Sequence, residues 1–307
     1  MKFCYGIEDF DITHIVLYSL SNTKYSYIPK NDFVRASLFS DPKKYVKKSI
    51  FITINENTMT FSADEEIFID LEKEKAYSSL NVPDYLLKDD FIANKRLHFI
   101  HNDLAIKHGN FQEELPEQTM VAKYLRGNEK VLEIGANVGR NTLVIAYILN
   151  CFQLNNQFVT LESDSRSVTL LKENKELNAL KFHIENSALS KNKLIQNGWN
   201  TKICDSEDIP RGWKKVNIIG YKQLMDKYKI DFDTLVLDCE GAILPILKDY
   251  PQLLNNINTI IIENDFQNRN DKNEFNNILK YYNFRLDYQQ SGGWGDCQDC
   301  FFEVYIR

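Results

Sequence analysis

Up to about residue 110, apolar positions fall in short runs such as 15–20, 49–54 and 67–71. Turn-forming clusters such as Ser21-Asn22-Thr23 and Asn55-Glu56-Asn57 separate them. Runs of this length between turn residues favour strands and hairpins, so a small β-rich domain is predicted over 1–111. The pattern changes near Leu115 and Pro116. Pro116 suits the first turn of a helix, where its missing N–H has no partner to lose, and Met120, Val121, Tyr124 and Leu125 then recur at helical spacing until Gly127. Beyond it, strand-like and helix-like segments alternate: strand 130–134, helix 140–150, strand 158–162, helix 166–178 and strand 182–185. An irregular stretch follows, then strand 234–238, helix 243–254, strand 259–263, helix 274–282 and two closing runs, 284–288 and 301–306. Such alternation means βαβ units and a mostly parallel sheet, and two final strands with no helix between them predict an antiparallel closing hairpin. This α/β domain is placed at 112–307.

Composition narrows the function without naming it. The 307 residues are 43% hydrophobic and 26% charged, with a net charge of −6, which is ordinary for a globular chain. A phosphate-tracking groove shows as a basic excess, so nucleic acid is not the expected partner. The amino terminus carries acids where a secretory signal needs an apolar run, and no stretch is long and apolar enough to span a membrane. The cysteines at 4, 151, 204, 239, 297 and 300 form neither a disulfide framework nor a four-ligand zinc set, since only the last two are close together. A cytoplasmic setting is expected, and the abundance of Asn, Lys, Ile and Tyr suits a low-GC microbe or a large DNA virus replicating in its host's cytoplasm. The five histidines form no spaced ligand set.

The strongest local signal runs from Val131 to Thr142: a buried strand ending in Glu133, a turn through Gly135 and Gly139, and an apolar helix. Glycines there let the backbone pass close to a ligand, and the acid offers a partner to a cationic group. Glu162 ends the next strand, where a carboxylate accepts ribose hydroxyls. A dinucleotide fingerprint needs glycine where this chain has Asn137 and Arg140, and both would hinder a pyrophosphate. Adenosylmethionine has no phosphate, tolerates a bulkier turn and brings an ammonium for Glu133. Three readings compete: a methyl-donor site, a hydride-transfer Rossmann domain, and a tight turn with no cofactor. The methyl donor fits best.

At these residues the chain resembles the FkbM-type methyltransferases. Their first motif is similar to Glu133–Gly139, Asn137 included; their second resembles Asp238-Cys239-Glu240-Gly241-Ala242; their third is a strand ending in an acid, as Ile260-Ile261-Ile262-Glu263 does. Asn186-Ser187-Ala188-Leu189-Ser190 resembles the loop that borders the adenine in that family. The likeness covers roughly 112–307, and it departs at Ile243, where the family often has a second Glu. It implies a Rossmann-like class I methyltransferase domain with a mostly parallel seven-stranded sheet, and hydroxyls of sugars or related metabolites as acceptors. It implies adenosylmethionine contacts at Glu133, Gly135, Asn137, Gly139, Asn141, Glu162, Ser163, Ser187, Ala188 and Asp238.

Ligands of an open α/β sheet lie outside the carboxyl ends of its strands. Asp238, Glu240, Glu263, Asn264 and Asp265 fall at such ends. Asp238, Glu240 and Glu263 are the candidate catalytic acids, one of them serving as base toward a hydroxyl. Alternatively Asp238, Asn264 and Asp265 hold magnesium or manganese, a layout similar to that of catechol-type O-methyltransferases. The bland alternative has Glu240 and Glu263 capping helices or pairing with Lys and Arg. Asn264 and Asp265, with Trp294 and Asp296 of the 291–300 loop, are the candidate acceptor contacts, since an aromatic face beside carboxylates suits a sugar. Gln298 and Asp299 are further hydroxyl partners in that loop. The expected activity is O-methylation of a carbohydrate-like small molecule or glycan. The rival reading is a degenerate fold that senses adenosylmethionine or scaffolds a glycan-processing complex. The 1–111 domain is assigned to homo-oligomer formation or acceptor presentation, and a chain beginning near 112 is expected to keep every cofactor contact.

Overall fold

The computed structural model describes residues 1–7, 10–150 and 157–307. Cys151 therefore lies outside the described residues, and Cys204, Cys239, Cys297 and Cys300 are free thiols. The chain divides into two units. One holds Met1–Ala105, Val121–Asn128 and Tyr147–Leu154; the other holds Ile106–Met120, Glu129–Ala146 and Asn155–Arg307.

The first unit contains β1 (Lys2–Tyr5), α1 (Thr13–Ser19), β2 (Tyr25–Ile28), α2 (Asp32–Phe39), β3 (Ile50–Ile54), β4 (Asn57–Phe61), β5 (Ile67–Asp70), β6 (Lys75–Ser78), α3 (Asp84–Leu87) and α4 (Asp90–Asp103). The strands form two antiparallel three-stranded sheets, β1-β3-β4 and β2-β5-β6. The runs at 49–54 and 67–71 are strands, as their pattern predicts, but the run at 15–20 lies in α1. Its buried positions, Ile12, Val16 and Leu20, repeat every four residues and so share one helical face. A buried ion pair ties this unit together. Arg96 and Glu66 are both fully buried, joined through Nε at 2.8 Å and Nη2 at 2.6 Å, and Tyr27 donates to the same carboxylate at 2.6 Å. The remaining Arg96 nitrogen donates to the carbonyls of Ala122 and Leu125, both at 2.7 Å.

After α5 (Leu115–Tyr124), the alternation appears as expected: β7 (Val131–Ile134), α6 (Arg140–Leu149), β8 (Phe158–Leu161), α7 (Ser165–Leu177) and β9 (His183–Glu185). The stretch that reads as irregular holds β10 (Ala188–Leu189), β11 (Leu194–Asn197), β12 (Asn200–Ile203), β13 (Lys214–Val216), β14 (Ile218–Ile219) and α8 (Tyr221–Tyr228). Then come β15 (Thr234–Leu237), α9 (Ile243–Asp249), a 3-10 turn at Pro251–Leu254, β16 (Thr259–Glu263), α10 (Arg269–Tyr281), β17 (Arg285–Gln290), a 3-10 turn at Gly295–Cys300 and β18 (Phe302–Ile306).

The main sheet has seven strands in the order β17-β18-β16-β15-β7-β8-β9, with β18 running against its neighbours. This is a Rossmann-like α/β arrangement, a mostly parallel sheet closed by an antiparallel strand. Its middle strands β7, β8 and β15 are buried at every residue, which is why they read as mostly apolar runs, each with a single polar residue: Glu133, Thr160 and Thr234. The side chains beneath them pack with Leu244, Leu247, Leu254, Phe275 and Leu279 into one core. The topology brings the loops after β7, β8, β15 and β16 to one edge, and the antiparallel β18 brings the 291–301 connection to that edge as well, because Phe302 pairs with Glu263. No helix among the described residues is long and apolar enough to cross a membrane.

Candidate functional site

The turn after β7 is shaped first by the protein's own packing. Gly135 has φ 97°, and a Cβ there would sit 1.5 Å from the backbone oxygen of Asp238. Gly139 has φ 95°, and its Cβ would meet Leu171 at 2.3 Å. The sequence assigns both glycines to ligand approach; the structure uses them to let β15 and α7 close in. Asn137 takes the left-handed region, φ 49°, and its N–H donates to Glu162 Oε2 at 2.8 Å. The other Glu162 oxygen accepts the Asp164 N–H at 2.7 Å. Glu162 thus bridges the loops after β7 and β8, and burial raises its pKa against the backbone hydrogen bonds that lower it.

Glu133 does not face an open site. It is 2% exposed, accepts from Thr142 Oγ1 at 2.7 Å, and burial pushes its carboxyl up to about 8 against the Thr160 and Thr142 hydroxyls that oppose the shift. Its direct pairing with a ligand's ammonium is not what this arrangement provides. Asn141, at the start of α6, offers more: it is 7% exposed, its N–H donates to Glu114 at 3.3 Å, and its Oδ1 has no hydrogen-bond partner. A buried acceptor without a donor is costly unless something arrives to donate. Ser163 donates to Gln196 at 3.1 Å, Ser187 to Glu185 at 3.0 Å, and the Ala188 N–H to the carbonyl of Asn217 at 2.8 Å. These three line the ends of β8 and β9, with their donors engaged inside the protein.

The acids at the ends of β15 and β16 do converge. Asp238, Glu263 and Asp265 each offer an oxygen, and these oxygens all lie within 4.8 Å of one another. Glu240 follows at φ 52°, a left-handed backbone that a residue with a Cβ adopts at a cost of about 1–2 kcal/mol. Its N–H donates to the Asp265 carboxylate. The capping and pairing roles open to Glu240 and Glu263 are not seen: neither acid joins an ion pair among the described residues. Burial is the first cause that raises the pKa of Asp238, Glu263 and Asp265; the charge of Asp265 adds to it at Asp238, the Glu117 hydrogen bond and the charges of Asp238 and Asp265 at Glu263, and the charge of Glu240 at Asp265. Burial alone raises Glu240.

Asn264 is a correction as an acceptor contact. Its side chain is fully buried, and its amide nitrogen donates to the Cys300 carbonyl at 2.5 Å and to Glu303 at 2.9 Å, while its Oδ1 has no hydrogen-bond partner. Glu303 in turn holds Lys272 and Tyr305. Successive residues of an extended segment face opposite ways, so Glu263 and Asp265 share one side and Asn264 the other.

Two acids that the sequence pattern does not mark enter at the start of α5. Glu117, in its first turn, is 8% exposed and receives a hydrogen bond from the Glu263 carboxyl, while its Oε2 has no partner. Glu114, the residue before α5, pairs with Arg140 at 2.9 Å, and burial raises its pKa.

No family model matches the chain, and no curated protein matches it. Among solved structures, it is similar to the ribosomal protein L11 methylase of Lactobacillus delbrueckii subsp. bulgaricus, with 14% identity over 65% of this chain and 79% of that one and a TM-score of 0.39. It is also similar to methyltransferase FkbM of Methylobacillus flagellatus, with 12% identity over 68% of this chain, 57% of that one and a TM-score of 0.39. A third is an O-methyltransferase of Bacillus cereus in complex with SAH, with 16% identity over 75% of this chain, 96% of that one and a TM-score of 0.37.

The 291–301 connection carries the remaining candidates. Trp294 is 57% exposed and tilts against Phe301, with ring centroids 6.5 Å apart. Phe301 accepts the Asn264 N–H at 2.7 Å, which places this aromatic pair at the end of β16. Asp296 is exposed in the 3-10 turn, as is Gln298. Asp299 is not free to meet a ligand, because it pairs with Arg269. Cys297 and Cys300 are buried, and burial raises both thiols.

Proposed function

We propose that this chain transfers a methyl group from adenosylmethionine to an oxygen of a small acceptor. The observation that carries the reading is the pairing of Asn137 and Glu162 across the first two parallel strands, beside the unpartnered Oδ1 of Asn141. Each Glu162 oxygen spends one lone pair on a backbone N–H and keeps another, so the carboxylate retains capacity for two ribose hydroxyls. Asn141 Oδ1 supplies an acceptor for an ammonium. Adenosylmethionine, when bound, supplies a methyl group activated by its sulfonium.

The acid group stands at the reacting edge. A carboxylate whose proton affinity is raised by burial removes a hydroxyl proton better than an ordinary one. Asp238 is assigned that role, with Glu240 and Glu263 shaping its field. Trp294 offers an apolar face and Asp296 a hydroxyl partner, which suits a sugar or a glycan-like metabolite. The negative chain and the acid-lined edge disfavour a polyanionic acceptor.

Calorimetry with adenosylmethionine, followed by methyl release on a panel of sugars, tests the reading. Glu162→Ala is expected to weaken cofactor binding by roughly 1.5–3 kcal/mol, the scale of a hydrogen bond to a charged group. Asp238→Asn is expected to bind the cofactor and lose most turnover. Cofactor binding without turnover on any acceptor would instead assign the chain a sensing or scaffolding role, and no binding at all would overturn both.

A further inference from the structure

We infer that Glu117, Asp238, Glu263 and Asp265 form a binding site for one hard divalent cation of the magnesium or manganese type, completed by a ligand from helix α5. Three observations carry it. The first is geometric: Asp238, Glu263 and Asp265 each bring an oxygen within 4.8 Å of the others. Oxygens bound at about 2.1 Å around an octahedral ion lie about 3–4 Å apart, so small side-chain movements close this group around a cation. The second is the unpartnered atoms. Glu117 is 8% exposed and Asp265 3%, and each keeps a buried carboxylate oxygen, Oε2 and Oδ2, with no hydrogen-bond partner.

The third is charge. Glu240 adds a fifth acid beside the four, and no Lys, Arg or His among the described residues forms an ion pair with any of these five acids. Unpaired buried carboxylates cost several kcal/mol each. An organic ammonium would offset a single charge. A divalent cation offsets two and takes oxygen ligands from several acids at once. The set differs from the one the sequence suggests: it rests on the converging acids, with Asn264 held through its amide nitrogen by Glu303 and Cys300, and Glu117 enters. The inference concerns binding alone and does not depend on the methyl-transfer reading.

Manganese binding to the full-length chain, followed by electron paramagnetic resonance and by calorimetry, tests it. The chelated protein is expected to take up one manganese per chain, with magnesium competing. Glu117→Gln and Asp265→Asn are expected to weaken uptake at least tenfold, while Asp296→Asn and Glu162→Ala leave it unchanged. A second readout needs no metal: Glu117→Gln should raise the Tm of the chelated protein, because it removes an unpartnered buried carboxylate, and manganese should raise the Tm of the parent more than that of the variant. The inference fails if the parent shows no saturable uptake, or if Glu117→Gln binds manganese like the parent. Saturable binding of methylammonium without manganese uptake would assign the site to an organic cation and overturn it equally.

Discussion

Glu133 shows how one side chain sets a pH dependence. It lies under α6 with a carboxyl pushed up to about 8, mainly by burial, while in an unfolded chain it titrates near its ordinary value of 4.5. Below that ordinary value the acid is neutral in both states and costs little. As pH rises toward 8, the unfolded chain releases the proton while the folded one retains it, so stability is lost across this window. Glu133→Gln keeps an acceptor for Thr142 without the ionisation. The variant is therefore expected to match the parent near pH 4.5 and to exceed it by a few kcal/mol near pH 8, since each tenfold difference in acidity between the two states is worth about 1.4 kcal/mol. Chemical denaturation from pH 5 to 8.5 checks this, and parallel curves for the two proteins would remove Glu133 as the source.

Among the elements, what reads clearly in the sequence is what is buried on both faces. Val131–Ile134, Phe158–Leu161 and Thr234–Leu237 are buried throughout and apolar at all but Glu133, Thr160 and Thr234. The hidden elements are solvated ones. Asn200–Ile203 is exposed at every position, so no apolar run marks it, and α10 begins six residues before its first apolar residue, Phe275, in the polar turn capped by Asn268. The acids after β15 and β16 are legible because a strand's end locates them. Glu117 is not, since only tertiary packing carries a helix face to those ends. Asn264 was legible in principle, because alternation alone turns it away from Glu263 and Asp265. It joins Glu303 to Lys272, which is 1% exposed. Lys272→Met leaves that carboxylate buried without its cation and is expected to cost about 3–5 kcal/mol, whereas Lys272→Met with Glu303→Leu should recover most of it. Urea unfolding of the single and double variants decides whether the pair or the packing carries the stability.

For the molecule as a whole, the two units do not correspond to two stretches of sequence. The first is built from Met1–Ala105 together with Val121–Asn128 and Tyr147–Leu154. A chain beginning at residue 112 keeps every candidate cofactor residue, yet it leaves Val121, Ala122 and Leu125, all fully buried, without the rest of their unit. Arg96, which donates to the Ala122 and Leu125 carbonyls, is lost with it. Such a truncation is expected to precipitate or to unfold without cooperativity, as near-ultraviolet circular dichroism and the soluble yield would show. A soluble, cooperatively unfolding product would mean that the carboxy-terminal unit tolerates the loss.

The same interleaving sets a timetable for synthesis. A ribosome releases Arg96, Lys30 and Asp103 before the groups they bind: the Ala122 and Leu125 carbonyls for Arg96, the Tyr147 carbonyl for Lys30, and the Tyr147 hydroxyl for Asp103. Until those groups emerge, part of the buried Arg96 guanidinium and the buried Lys30 ammonium lack these partners, as does the half-buried Asp103 carboxylate. The amino-terminal unit consequently cannot settle as a finished body when residue 105 emerges. It closes only after β7 and most of α6 have been made.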